Sequence, residues 1–268
     1  MGIPKKVAER VQSNLRRFVP VLSAQKARDV SEADTVTLVK DILSEVFGFD
    51  KYAELTSEYS IRGTFCDLAI KLDNKLQLLI EVKAIGLELK DNHTKQAVDY
   101  ASNQGIEWVV LTNGIQWTLF HVLFKKPIEK QEVCTINLLD VDLKSEADLE
   151  RVFLFCREGL TRNALAEYRD RKDATSRYML AAIILNSDAV ASAIRREVRR
   201  VSDLLVDEET ILKMLRDEVI KRDALEGDQA ESAARRFHRN SEKSIRKSTE
   251  EPDAKTTPDA AASPTPTT

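Results

Sequence analysis

Residues 64–83, TFCDLAIKLDNKLQLLIEVK, decide how this chain folds. Two runs of strand character, 64–72 and 75–83, are separated by Asp73-Asn74, a residue pair suited to a tight hairpin. Asp67 interrupts the first run, and Glu81 ends the apolar stretch LQLLI of the second. A carboxylate inside a strand is costly unless it has a partner. Two carboxylates on adjacent strands converge on one point, where a hard divalent cation binds through oxygen. Lys83 follows Glu81 by two residues, so it points to the same face. There it can position water or stabilise charge developing on a phosphate. Parity sets a condition on this reading. A two-residue loop alone pairs Leu72 with Lys75, sets Asp67 against Ile80 and turns Glu81 to the other face. The carboxylates share a face only if the loop is three residues long or a bulge shifts the register. The residues alone leave a second reading open, in which Asp67 and Lys83 are a solvated cross-strand pair. Glu88-Leu89-Lys90 repeats the Glu-x-Lys pattern nearby, so that pattern is not specific by itself.

On the N-terminal side, apolar Val7, Val11, Leu15 and Phe18 predict a helix over 4–18. The stretch 31–50, SEADTVTLVKDILSEVFGFD, predicts another, opened by Ser31 and closed by Gly48. On the C-terminal side, 91–104 predicts a polar helix stopped by Gly105. EWVVLT (107–112), Asn113-Gly114 and IQWTLFHV (115–122) predict a second hairpin, and VCTINLL (133–139) an edge strand. From Ser145 onward proline is absent until Pro252, and helices are expected at 145–158, 162–172, 175–186, 188–205 and 207–226. Four of the seven prolines lie after residue 250, in a stretch with no aliphatic side chain larger than Ala. Such a stretch cannot offset its ordering entropy, so 240–268 is expected to be a disordered tail.

Composition bounds the function classes. With 41 Lys+Arg against 44 Asp+Glu, a formal net charge of -3 excludes a strongly basic protein that coats nucleic acid by charge alone. Residues 1–125 carry sixteen basic and sixteen acidic side chains, so a local basic cleft is not excluded. Cys66, Cys134 and Cys156 have no CxxC spacing and are expected to be reduced and packed, as in a cytoplasmic protein. The polar N-terminus and the lack of an apolar run near 20 residues give no expectation of a signal peptide or a membrane span. His93, His121 and His238 lack zinc-ligand spacing, and no GxxxxGK[ST] motor motif occurs. Leu204, Leu205, Ile211, Leu212, Leu215 and Ile220 form an apolar stripe that suits either a core or a homodimer face.

Taken in order, VSEADTVTLVKDILSEVFGFD, TFCDLAIKL, LLIEVKAIG, KQAVDYA and WVVLTNGIQWTLF resemble the N-terminal nuclease domain of type I restriction enzyme R subunits. That domain falls within the PD-(D/E)XK nuclease superfamily, and the closer resemblance is to small stand-alone bacterial proteins that carry it. The likeness covers about residues 5–125. It implies an α/β fold with a restriction-endonuclease-like core, a mixed central sheet flanked by helices, over 1–143. An all-helical region over 144–239 and the tail from 240 would follow. The resemblance implies Mg²⁺, or Mn²⁺ in its place, held by Asp67, Glu81 and the backbone carbonyl of Val82. Lys83 would be the catalytic lysine that activates or orients water for in-line attack on DNA phosphate. Gln96 and Tyr100 match a Gln-x-x-x-Tyr motif on the following helix, in which Gln96 would help hold the DNA near the site and Tyr100 would support the helix or contact the backbone. Glu32, in the helix over 31–50, is the best match for an additional acidic residue that assists the metal in this superfamily, with Glu45 a weaker one. Cys66 stands where many of these nucleases have proline. The implied function is a DNA endonuclease linked to restriction or defence. The alternative is an inactive nucleic-acid-binding or regulatory module that keeps the fold.

Overall fold

The computed structural model describes residues 2–61 and 64–249. Helices α1 (Lys5–Ala27) and α2 (Glu32–Glu45) precede strands β1 (Leu55–Ile61), β2 (Thr64–Leu72) and β3 (Lys75–Val82). A short 3₁₀ turn, Asp91–Thr94, leads into helix α3 (Lys95–Gln104), then β4 (Trp108–Thr112), β5 (Gln116–Leu123) and β6 (Glu129–Asn137). Among the described residues these strands form one six-stranded mixed sheet in the order β1-β2-β3-β4-β5-β6. β3 and β4 run parallel, joined across α3, and the other neighbours are antiparallel.

The local signals act as physical chemistry requires. The Ser31 side chain accepts a hydrogen bond from the Asp34 N–H and so caps α2. Helix α1 continues past Phe18 to Ala27 because Leu22 extends its buried stripe, and it accommodates Pro20 within. Gly105 ends α3 in the left-handed conformation, φ 68°. Asn113 Oδ1 accepts from the N–H groups of Ile115 and Gln116, closing the turn into β5. Strand β1 was not expected. LTSEYSI has no clean alternation and is ordered by pairing with β2 at the sheet edge.

The β2–β3 hairpin meets the parity condition through a bulge. Asp73 and Asn74 both take positive φ, 50° and 61°, and Leu72 faces Lys75 across a two-residue turn. The register then shifts between Ile70 and Lys71, after which Ile70 faces Leu78, Ala69 faces Leu79 and Leu68 faces Ile80. β3 therefore holds one extra residue, Gln77, and the pairing runs on toward Asp67 opposite Glu81.

Each sheet face has its own apolar layer. One layer contains Leu68, Ile70, Ile80, Val82 and Trp117 with Leu15 of α1 and Ile42 of α2. The other contains Ala69, Leu79, Val109 and Leu111 with Ala97, Tyr100 and Ala101 of α3. Cys66, Cys134 and Cys156 are buried thiols, and Trp108 and Trp117 are packed inside. The first compact unit ends at Arg169, beyond the expected boundary at 143. Helices α4 (Glu146–Phe153), α5 (Arg157–Thr161) and the start of α6 (Ala164–Ala174) explain the difference. Val152, Phe153, Phe155, Cys156 and Leu165 fill the same core as the sheet and α1.

The second unit, from Asp170, is helical. It contains α7 (Arg177–Asn186), α8 (Asp188–Ser202), α9 (Glu208–Met214) and α10 (Asp228–Thr249). Met179, Ala182 and Ala233 join α7 to α10. The helix expected over 207–226 is broken, because α9 passes into a π turn at Leu215–Val219. In the apolar stripe Ile211 is buried, whereas Leu204 and Leu205 are exposed. Helix α10 carries regular structure to Thr249, ten residues into the stretch expected as a tail; residues 250–268 lie outside the described part. Among the described residues no single helix is long and apolar enough to cross a membrane, though α7 and α8, bent by 76°, pass that test as a pair.

Candidate metal centre at the end of strand β3

The carboxyl end of β3, beside the carboxyl end of its parallel neighbour β4, gathers the chemically distinctive side chains. The Asp67 carboxylate accepts a hydrogen bond from the Val82 N–H, Oδ2 to N 2.7 Å. The Lys83 N–H instead donates to the Thr112 carbonyl of β4 at 2.8 Å. Successive backbone groups thus alternate between neighbouring strands, and Val82 is the residue whose polar groups face Asp67. Glu81 is 6 % exposed. Its Oε1 accepts from the Lys83 ammonium at 2.7 Å, whereas Oε2 is buried without a hydrogen-bond partner. Glu32, the first residue of α2, lies on the other side of the lysine, Oε2 to Nζ 3.7 Å.

The electrostatics follow from this crowding. Burial pushes the Glu81 carboxyl above its ordinary value; the bond from Lys83 pulls it down, and the charge of Asp67 pushes it up again. Burial opposes the charge on Lys83, but the hydrogen bond and attraction of Glu81, with Glu32 and Asp67, hold its ammonium above the usual lysine range. The Cys66 thiol is pushed up to about 12, first by burial and then by Glu81. It points at the Ile80 carbonyl, Sγ to O 3.2 Å, and stays protonated as a packing group.

Asp67, Glu81, Val82, Lys83 and Glu32 are therefore brought to one place. Gln96 and Tyr100 sit one turn apart on α3, and the Gln96 amide donates to the Tyr100 hydroxyl at 2.9 Å. Tyr100 is buried with Ala69 and Leu79, on the sheet face to which parity also directs Asp67 and Glu81. Glu45 is not part of the group. It ends α2, about 20 Å along the helix from Glu32, and pairs with Arg17. His93 accepts from the Lys90 N–H through Nδ1 and serves the turn before α3. Among the described residues no group of three or more His, Cys, Asp or Glu side chains is placed to hold a metal ion. Two carboxylates and a carbonyl are the donor set on offer. Hard oxygen donors of this kind suit Mg²⁺ or Mn²⁺, and Glu81 Oε2 is a buried acceptor with nothing to accept.

Thr35 and Thr112 were not singled out from sequence, although they hold the frame of this site. Thr35 Oγ1 of α2 accepts from the Ile85 N–H, fixing the chain just beyond Lys83. Thr112 supplies the carbonyl under Lys83, and its hydroxyl donates to the Gln116 carbonyl. A threonine that ends an apolar strand, as in WVVLT, is the signal that pointed there.

Residues 40–136 match the family described as Type I restriction enzyme R protein N terminus (HSDR_N). The domain resembles the N-terminal part of those R subunits. The match covers about a third of the chain and includes Asp67, Glu81, Lys83, Gln96 and Tyr100. Glu32 precedes it. No curated protein and no solved structure matches the chain.

Proposed function

We propose that this chain is a metal-dependent endodeoxyribonuclease that hydrolyses DNA phosphodiester bonds, acting in the cytoplasm in restriction or defence. The observation that carries the reading is Glu81. It is a buried carboxylate with one oxygen unpartnered, placed beside Asp67 and Lys83 at the carboxyl end of parallel strands. Burying a carboxylate is costly, and a fold keeps such a group where chemistry requires it. Asp67, Glu81 and the Val82 carbonyl would hold Mg²⁺, with Mn²⁺ as a substitute. When bound, the ion would supply Lewis-acid polarisation of the phosphate and lower the pKa of attacking water. Lys83 would orient that water and balance charge on the scissile phosphate. Gln96, exposed at the start of α3, would hold the DNA backbone, and Tyr100 would fix Gln96 through their hydrogen bond.

The test is cleavage of single- and double-stranded DNA with Mg²⁺ or Mn²⁺. Wild type is expected to cut, Lys83→Ala to lose at least about a hundredfold in rate, and Asp67→Ala to lose both cutting and Mn²⁺ binding. One observation favours an inactive nucleic-acid-binding module instead: no third acidic or imidazole ligand joins the two carboxylates among the described residues. DNA binding by wild type without cleavage under either metal would select that second reading.

A further inference from the structure

Lys83 is bonded to one oxygen of the carboxylate whose other oxygen, Oε2, is open to a metal ion. Its ammonium is 2.7 Å from Glu81 Oε1 and 3.7 Å from Glu32 Oε2, so one cation lies between two acids of different character. The Glu81 side chain is 7 % exposed and has little water to neutralise it, whereas that of Glu32 is 49 % exposed. Resting on the metal-site reading above, we propose that Lys83 is the resident counter-ion of Glu81. A divalent cation displaces it, and Glu32 then receives the lysine.

Three features argue for the exchange. An ammonium in contact with a carboxylate repels a divalent ion approaching the same group, most strongly where water is scarce. The lysine stem is flexible and its three donors rotate freely, so a change of partner needs only a side-chain swing. Glu32 already lies within ion-pair reach and stands in the first turn of α2, where the helix dipole favours a negative charge. Glu32 is thus a positioning residue that acts through Lys83 and does not bind the metal.

Calorimetric titration of the full chain with Mn²⁺, without DNA, tests the exchange. Lys83→Gln and Lys83→Met should bind Mn²⁺ on the order of tenfold more tightly than wild type, although neither would cleave. Glu32→Gln should weaken Mn²⁺ binding in the wild-type background and have no effect in the Lys83→Gln background. Unchanged or weaker binding by both Lys83 variants overturns the proposal. So does an equal loss from Glu32→Gln in both backgrounds, because Glu32 would then be a ligand. If neither wild type nor the Lys83 variants bind Mn²⁺, the metal-site reading itself falls, and the exchange with it. Should the Lys83 variants fail to fold, the ¹³Cε resonance of Lys83 in wild type decides. It should move on saturation with Mg²⁺, and an unmoved resonance overturns the exchange.

Discussion

At the residue scale, Glu81 carries the conflict between stability and use. Its carboxyl is raised above 4.5 by burial, so between 4.5 and its raised folded value the native state holds more proton than the unfolded chain. Its contribution to stability is therefore greatest at acid pH and is lost as pH rises through the folded value. Glu81→Gln removes that burden. The variant's melting temperature should exceed wild type by a margin that grows as pH rises from 4.5, while Mn²⁺ binding is lost. Melting curves across pH 4 to 8 check this, and a margin independent of pH would contradict it. The residue identities at 67, 81 and 83 could be read from sequence. The partner that Lys83 chooses could not, because it depends on distances of an ångström between strands and a helix far apart in the chain.

At the element scale, the β2–β3 hairpin shows how local and tertiary demands are reconciled. Asp73-Asn74 specifies a two-residue turn, and that turn alone would put Asp67 and Glu81 on opposite faces. The extra residue Gln77 corrects the parity. Sequence could state that some correction was needed, yet could not locate it, since a bulge is chosen by packing on both faces of a strand. Turn and cap positions are more legible. Gly105 takes φ 68°, and an added Cβ would meet nothing within 4 Å, so only backbone strain opposes substitution. Gly105→Ala should cost about 1 kcal/mol in chemical denaturation, and Gly105→Asn less. Trp117 is fully buried, packs edge-on against Phe47 and donates its ring N–H to the Gly114 carbonyl. Trp117→Ala should cost about 3–5 kcal/mol by the same measurement.

At the scale of the whole molecule, the first unit closes only with helices that follow the sheet in sequence. Arg10 of α1 makes a two-pronged ion pair with Glu158 of α5, at 2.6 and 2.7 Å, and also donates to the Val46 and Phe47 carbonyls beyond α2. Arg157 donates from Nε to both carboxylate oxygens of Glu54, ahead of β1, at 2.7 and 3.0 Å. A chain ending at residue 143 would leave Arg10 and Glu54 without their ion-pair partners Glu158 and Arg157, and strip Phe153, Phe155 and Leu165 from the core. Residues 1–169 should therefore show one cooperative thermal transition, whereas residues 1–143 should aggregate or melt without one. Circular dichroism of the two fragments distinguishes these outcomes.

The sequence by itself determined most of the element types, the hairpin turns, the helix caps and the residues able to do chemistry. These depend on neighbours a few positions away, through periodicity, turn stereochemistry and the solvation of charge. Tertiary structure alone decided that β1 joins the sheet, that the first unit extends to Arg169, where the bulge sits and that Lys83 docks on Glu81 beside Glu32. Each of these is settled by burial and by contacts between segments far apart in the chain, where the free energy of packing outweighs any local preference.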